Sequence, residues 1–193
     1  MIKSIYLASR SPRRAELLQQ IGVDFHVLPT DIDESTQVGE TPEAYVIRLA
    51  AEKASACQVS LNGVQKLPIL AADTTVSIDG LILGKPENDE DAYAMLSRMS
   101  GRWHEVHTGL AVASDKGLET MLSTTRVEVA VLSAQTIAAY IASGEPRDKA
   151  GAYGIQGLAG TFIRRIEGSY SGVMGLPIFE TAVLLRNAGV KVL

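Results

Sequence analysis

The opening residues constrain the fold of this chain more than any other stretch, because they read as strand, helix, strand, the α/β signature. Residues 5–8 form a short apolar run, and Ser9-Arg10-Ser11-Pro12 follows with an N-cap serine and a proline at the first helical position. Ala15, Leu17, Leu18 and Ile21 give the helix one apolar face, Gly22 ends it, and residues 24–28 return as a strand. Residues 30–39 are acidic and irregular, and Thr41-Pro42 opens a long helix to about residue 59 that carries Lys53.

The second half changes character. Residues 68–72 form a strand-like run ending at Asp73-Thr74, and 76–78 with 81–83 make a hairpin around Asp79-Gly80. A helix over 89–99 stops at Ser100-Gly101. Two long strand-like runs, 104–113 and 121–132, meet at Asp115-Lys116-Gly117 as a large antiparallel hairpin. Ser133 caps a helix to about residue 142, residues 161–166 form a strand, and 177–187 form the last helix before Gly189. A βαβ start joined to long hairpins implies an α/β fold with one mixed, twisted sheet, flanking helices and two lobes around a cleft, within a single domain spanning residues 1–193. Ligands in such folds sit at strand ends.

Composition narrows the partners. A net charge of −4 argues against a protein whose main partner is the nucleic-acid backbone. Cys57 is the only cysteine, which excludes an intrachain disulfide and a cysteine-rich zinc site and fits a reducing cytoplasm. The N-terminus enters a strand-like run with no signal-peptide core, and no apolar stretch reaches the ~18 residues of a membrane span. A soluble cytoplasmic protein is expected.

Four places carry candidate chemistry. Residues 148–157 pack three glycines, Tyr153 and Gln156 into one loop, so the backbone can take positive φ and close on a ligand. The Gln156 amide offers a donor beside an acceptor, matching a nucleobase edge; the competing reading is a plain Ω-type surface loop. Ser9, Arg13 and Arg14 surround a helix N-terminus, which suits phosphate, against the alternatives of a plain cap and of a DNA-touching element. Cations in a first helical turn oppose the dipole unless an anion is present.

Asp73 closes an apolar run, so its carboxylate is expected where a strand leaves the sheet, the place of a catalytic acid or metal ligand, or of a turn cap. Asp31, Asp33 and Glu34 form an acidic run that is either solvated surface or, at Glu34, an oxygen ligand for Mg2+ or Mn2+. Lys53 and Lys85, the latter between Gly84 and Pro86, are further cations, with surface lysine as the default. His104 and His107, three apart on a strand, point to opposite faces and cannot share a metal. Nothing resembles a P-loop, a GxSxG elbow or an activated cysteine.

Taken in order, Ser9-Arg10-Ser11-Pro12-Arg13-Arg14, Ala72-Asp73-Thr74, Gly84-Lys85-Pro86, the 148–157 loop, Gly168-Ser169-Tyr170 and Val173-Met174-Gly175-Leu176-Pro177 resemble the Maf family of nucleoside triphosphate pyrophosphatases nearly end to end, and its dTTP/UTP branch most. The resemblance implies an inosine triphosphate pyrophosphatase-like fold and hydrolysis between the α and β phosphates with a divalent metal, Mg2+ or Mn2+. By the same resemblance Asp73 is the proton acceptor, with a role mainly as metal ligand as the alternative, and Glu34 of the acidic run is the other metal-site candidate. Ser9, Arg13, Arg14, Lys53 and Lys85 hold the triphosphate, and Arg13, Thr74 and Gln156 select the base. A cytoplasmic homodimer acting on nucleoside triphosphates is also implied. Two alternatives remain: a relative acting on purine or modified triphosphates, and a nucleotide-binding division regulator without turnover.

Overall fold

Strand β3 (Ile69–Ile78) is the hinge of the architecture, with a parallel half of the sheet on one side and an antiparallel half on the other. The computed structural model describes residues 2–63 and 67–192; residues 1, 64–66 and 193 of the expected domain span lie outside the described residues. β1 (Ser4–Leu7), α1 (Pro12–Gln20) and β2 (Asp24–Val27) form the expected βαβ unit, and α2 (Pro42–Ser60) crosses over to β3. β4 (Leu81–Leu83) folds back on β3 through Asp79 and Gly80, both at positive φ (55° and 74°). After α3 (Asp89–Met99), β5 (Trp103–Ser114) and β6 (Gly117–Val129) form the long hairpin, and α4 (Ala134–Ala142) leads into the glycine-rich loop. β7 (Ile163–Glu167), a short α5 (Tyr170–Met174) and α6 (Ile178–Asn187) complete the chain. The strand order is β2-β1-β3-β5-β6-β7, with β4 on β3.

One polar row divides the core. Along one face of β3, Leu70 and Ala72 pack with α1 and α6, whereas Val76 and Ile78 pack with α3, α4 and the glycine-rich loop. Thr74 lies between these two sets, directly opposite Thr108 of β5, and their hydroxyls are 2.9 Å apart. The two lobes are therefore two apolar clusters on one continuous sheet, separated by a threonine pair.

The other face of β3 carries α2. Ala50 and Ala54 pack on Ala71 and Ala111, and small side chains let helix and sheet approach closely. Gly109, paired in register with Asp73, takes this furthest, since a Cβ there would overlap the Val46 carbonyl. The close approach brings Lys53, on the same buried stripe of α2 as Leu49, Ala50 and Cys57, down to Asp73. Among the described residues, no helix is long and apolar enough to cross a membrane.

Candidate active site

The site occupies a gap in the sheet. β1 pairs with β3 only at Ile69 and Leu70, and β4 only from Val76, so among the described residues the intervening stretch has a strand neighbour only on the β5 side. A cleft of about 770 Å3 opens there, large enough for a nucleotide. Asp73 thus sits in mid-strand, not where β3 leaves the sheet as the sequence suggested; it is β1 that ends, and its departure uncovers β3. Because side chains alternate along a strand, adjacent Asp73 and Thr74 point to opposite faces while both reach the cleft.

On the α2 face, the Lys53 ammonium lies 2.6 Å from Asp73 Oδ1 and 2.6 Å from Glu34 Oε1. Two carboxylate oxygens therefore converge on one cation. Asp73 is buried, and burial pushes its pKa up against the pull of Lys53 and Arg14. At half-exposed Glu34 burial acts in the same direction, but hydrogen bonding to Lys53 and the nearby cations outweigh it and hold the carboxyl below its usual range. The Tyr45 hydroxyl donates to the Glu34 carbonyl at 2.8 Å and fixes the acidic loop. Arg10 and Asp31, both exposed, tie that loop to the β1–α1 turn at 2.7 Å.

On the other face Arg14 is the organiser. Its guanidinium donates to Gly175 O at 2.8 Å, Ser9 Oγ at 3.0 Å and Thr74 Oγ1 at 3.2 Å, so two of its five N–H groups remain. Burial lowers its pKa, opposed first by Asp73. The hydroxyl polarities follow from these bonds. Ser9 Oγ accepts from Arg14 and from the Ser11 N–H at 3.2 Å, which fills both lone pairs and leaves its hydrogen to donate to a ligand. Ser11 is the helix N-cap by position, but its side chain makes no capping bond. Thr108 must donate to the Gly172 carbonyl at 2.9 Å, so Thr74 donates to Thr108 and keeps one lone pair, which can only accept.

The remaining sequence candidates also line the cleft. Arg13 donates to Met174 O at 3.4 Å, and Lys85 stands exposed on the rim with no ion pair among the described residues. Gln156 is exposed into the cleft from the glycine-rich loop. Of the three glycines in that loop, only Gly151 uses positive φ (68°), and Ala152 beside it does the same without being glycine (60°). Gly154 instead makes room for the Lys149 side chain and Gly157 for the Glu145 carboxyl. Neither His104 nor His107 lines the cleft. His104 bonds the Tyr153 hydroxyl at 2.8 Å, with burial lowering its pKa to about 4, and His107 bonds Ser77 and Thr124.

The sequence did not single out Glu145, Tyr140, Thr108 or Gly109. The carboxylate pair suits a small hard cation: no cluster of three or more His, Cys, Asp or Glu occurs among the described residues, but Mg2+ characteristically uses one or two carboxylates and completes its shell with water and substrate phosphates.

The chain is similar to the dTTP/UTP pyrophosphatase of Methylobacillus flagellatus, 68% identical over 188 residues, covering 97% of this chain and 94% of that one. Proteins of the same name from Hahella chejuensis and Chromobacterium violaceum are 50% and 55% identical, covering 98% and 96% of this chain and 94% of their own. The structure of the Staphylococcus aureus Ham1 protein aligns over 66% of this chain and 72% of its own, at 19% identity and a TM-score of 0.47. The Maf family, described as Maf-like protein, matches residues 4–188, and the chain belongs to it.

Proposed function

We propose that the protein hydrolyses dTTP and UTP between the α and β phosphates, releasing the nucleoside monophosphate and pyrophosphate. The observation that carries this reading is the gap beside β3, which lets Asp73 and Thr74 enter one cleft from opposite faces of the strand. A charged device and a neutral recognition device then act on one substrate. The names of the relatives that share half or more of their residues with this chain support the same reaction.

The chemistry is divided accordingly. The Ser9 hydroxyl, with only its hydrogen free, donates to a phosphate oxygen, and Arg13, Lys85 and the two remaining Arg14 N–H groups neutralise the triphosphate. Lys53 holds Asp73 by one oxygen and supplies positive charge at the same point. A water attacks the α-phosphorus, its proton passes to Asp73, the bond to the bridging oxygen breaks, and pyrophosphate leaves with that oxygen. Glu34 and Asp73 would hold a divalent cation, Mg2+ or Mn2+, which when bound offsets charge on the phosphate oxygens. Gln156 and Thr74 face the base.

Product analysis tests the reading. Purified protein with Mg2+ or Mn2+ should convert dTTP and UTP to monophosphate and pyrophosphate, and chelation should abolish turnover. Diphosphate and orthophosphate as products would overturn the α-phosphorus assignment, and binding without turnover would overturn the enzymatic reading.

A further inference from the structure

Glu145 does not line the cleft, yet its carboxylate holds the loop that presents Gln156 from both ends. Oε2 accepts the Leu158 N–H at 2.9 Å, and Oε1 accepts the Tyr140 hydroxyl at 2.8 Å and, more weakly, the Ala159 N–H at 3.4 Å. The same Tyr140 oxygen accepts the Gly154 N–H at 3.2 Å. The residues two before and two after Gln156 are thus tied to one carboxylate, directly on one side and through a single phenol on the other.

Between these ties the chain makes a tight turn, closed by the Gly157 N–H on the Gly154 carbonyl at 3.0 Å. Ile155 and Gln156 are its central residues; Ile155 is buried in the apolar cluster and Gln156 is left facing the cleft. Gly157 has φ −108° and ψ −149°, so a positive φ is not what calls for glycine there. Space does, because a Cβ at Gly157 would overlap the Glu145 carboxyl. Two positions twelve residues apart therefore report the same packing requirement.

We infer that Glu145 is a positioning residue for base selection, acting with Tyr140 to hold the Gln156 amide in the orientation that reads a pyrimidine. The inference rests on Gln156 reading the base. A side chain on an untethered turn has to be ordered when substrate binds, which weakens binding to the matching base, whereas a tethered one is ordered beforehand. Among the described residues, Ser9, Arg13, Arg14 and Lys53, assigned to the triphosphate, make no hydrogen bond to this turn.

The experiment compares catalytic efficiencies for UTP, GTP and a base-free triphosphate, methyl triphosphate, in Glu145→Ala, Glu145→Gln, Gly157→Ala and Tyr140→Phe, each checked for folding by circular dichroism. The UTP-to-GTP ratio should fall by about tenfold in Glu145→Ala and Gly157→Ala, mainly through KM for UTP, while methyl triphosphate changes much less. Glu145→Gln, which still offers Leu158 an acceptor, should retain most of the ratio, whereas Tyr140→Phe, which keeps the ring packing but removes the phenol joining Gly154 to the carboxylate, should lose part of it. An unchanged ratio in folded Glu145→Ala and Gly157→Ala overturns the inference, as does an equal loss for methyl triphosphate. Wild-type protein that does not discriminate UTP from GTP overturns the role of Gln156, and the inference with it.

Discussion

The two faces of β3 at the cleft solve different problems by different means. On the α2 face, Asp73, Lys53 and Glu34 form a compact ionic group partly or largely withdrawn from water, where charge interactions are strong and desolvation is costly. On the other face, Thr74, Thr108 and Gly172 form a chain of neutral hydrogen bonds whose donor and acceptor assignments are set by the backbone carbonyl at one end, and the neutral Gln156 amide faces the same cleft. Arg14 alone spans both, bonding Ser9 and Thr74 while feeling the charge of Asp73. The charged side is equipped to move a proton and neutralise phosphate whatever base is attached. In the proposed reading, discrimination between bases belongs to the neutral side, because only directional bonds distinguish one base edge from another.

The largest expected effect lies on the charged side. Asp73→Asn keeps the shape and removes the proton acceptor, so turnover should fall by roughly 100- to 10,000-fold, equally for dTTP, UTP and GTP. Stability should not follow. Burial raises the folded-state pKa of Asp73, so between the ordinary carboxylate value and the raised one the folded state binds more protons than the unfolded, and stability falls as pH rises through that window. Removing the charge should leave the unfolding midpoint at neutral pH unchanged or higher, with Glu34 still paired to Lys53. In the metal-free protein the Asp73 carboxyl should titrate above the range of an unperturbed aspartate, and a bound divalent cation should bring it down. A folded Asp73→Asn protein with near-normal turnover would break the division of labour at its root.

A smaller effect of a different kind is expected on the neutral side. Losing a hydrogen bond in a desolvated site costs about 1 to 3 kcal/mol, roughly 5- to 150-fold in catalytic efficiency. Gln156→Ala should lower efficiency for dTTP and UTP by that amount and for GTP much less. If the UTP-to-GTP ratio is unchanged although total activity falls, Gln156 supports the loop and does not read the base.

How far each side was legible in the sequence follows from what each depends on. The βαβ start, the long hairpin and the helix over Pro42–Ser60 were readable because caps, turn residues and apolar periodicity are local. The residues that the sequence proposed for the site all line one cleft. Asp73 was misplaced within its strand because the break at Asp73-Thr74 looks like a strand end, whereas β3 runs on to Ile78 and the opening comes from β1 ending beside it. The purpose of Gly154 and Gly157 was hidden for the same reason: what excludes a side chain there is the Lys149 side chain in one case and the Glu145 carboxyl in the other, not a positive φ. Glu145 looks in the sequence like any surface acid after a helix, and only the folded loop places its carboxyl among three donors.

The smallest predicted effect tests the neutral side most finely. Thr74 donates its hydrogen to Thr108 and one lone pair is taken by Arg14, so toward a base it can offer only an acceptor. On uracil and thymine the one ring donor is N3–H, whereas N3 of cytosine is itself an acceptor, so the hydroxyl favours the first two and opposes the third. The Gln156 amide can accept from the same N3–H, and each group therefore partly covers the loss of the other. Thr74→Val keeps the shape and removes the acceptor, and one partly compensated hydrogen bond is worth about 0.5 to 1.5 kcal/mol, roughly 2- to 10-fold. Efficiency for UTP should fall by that factor while efficiency for CTP stays level or rises, and Thr74→Ser, which keeps the hydroxyl, should hold the wild-type UTP-to-CTP ratio. An equal fall for both nucleotides in Thr74→Val would mean that the hydroxyl acts through Arg14 on the shared triphosphate, and the boundary between the charged and neutral sides would then run between Thr74 and Gln156, not between Asp73 and Thr74.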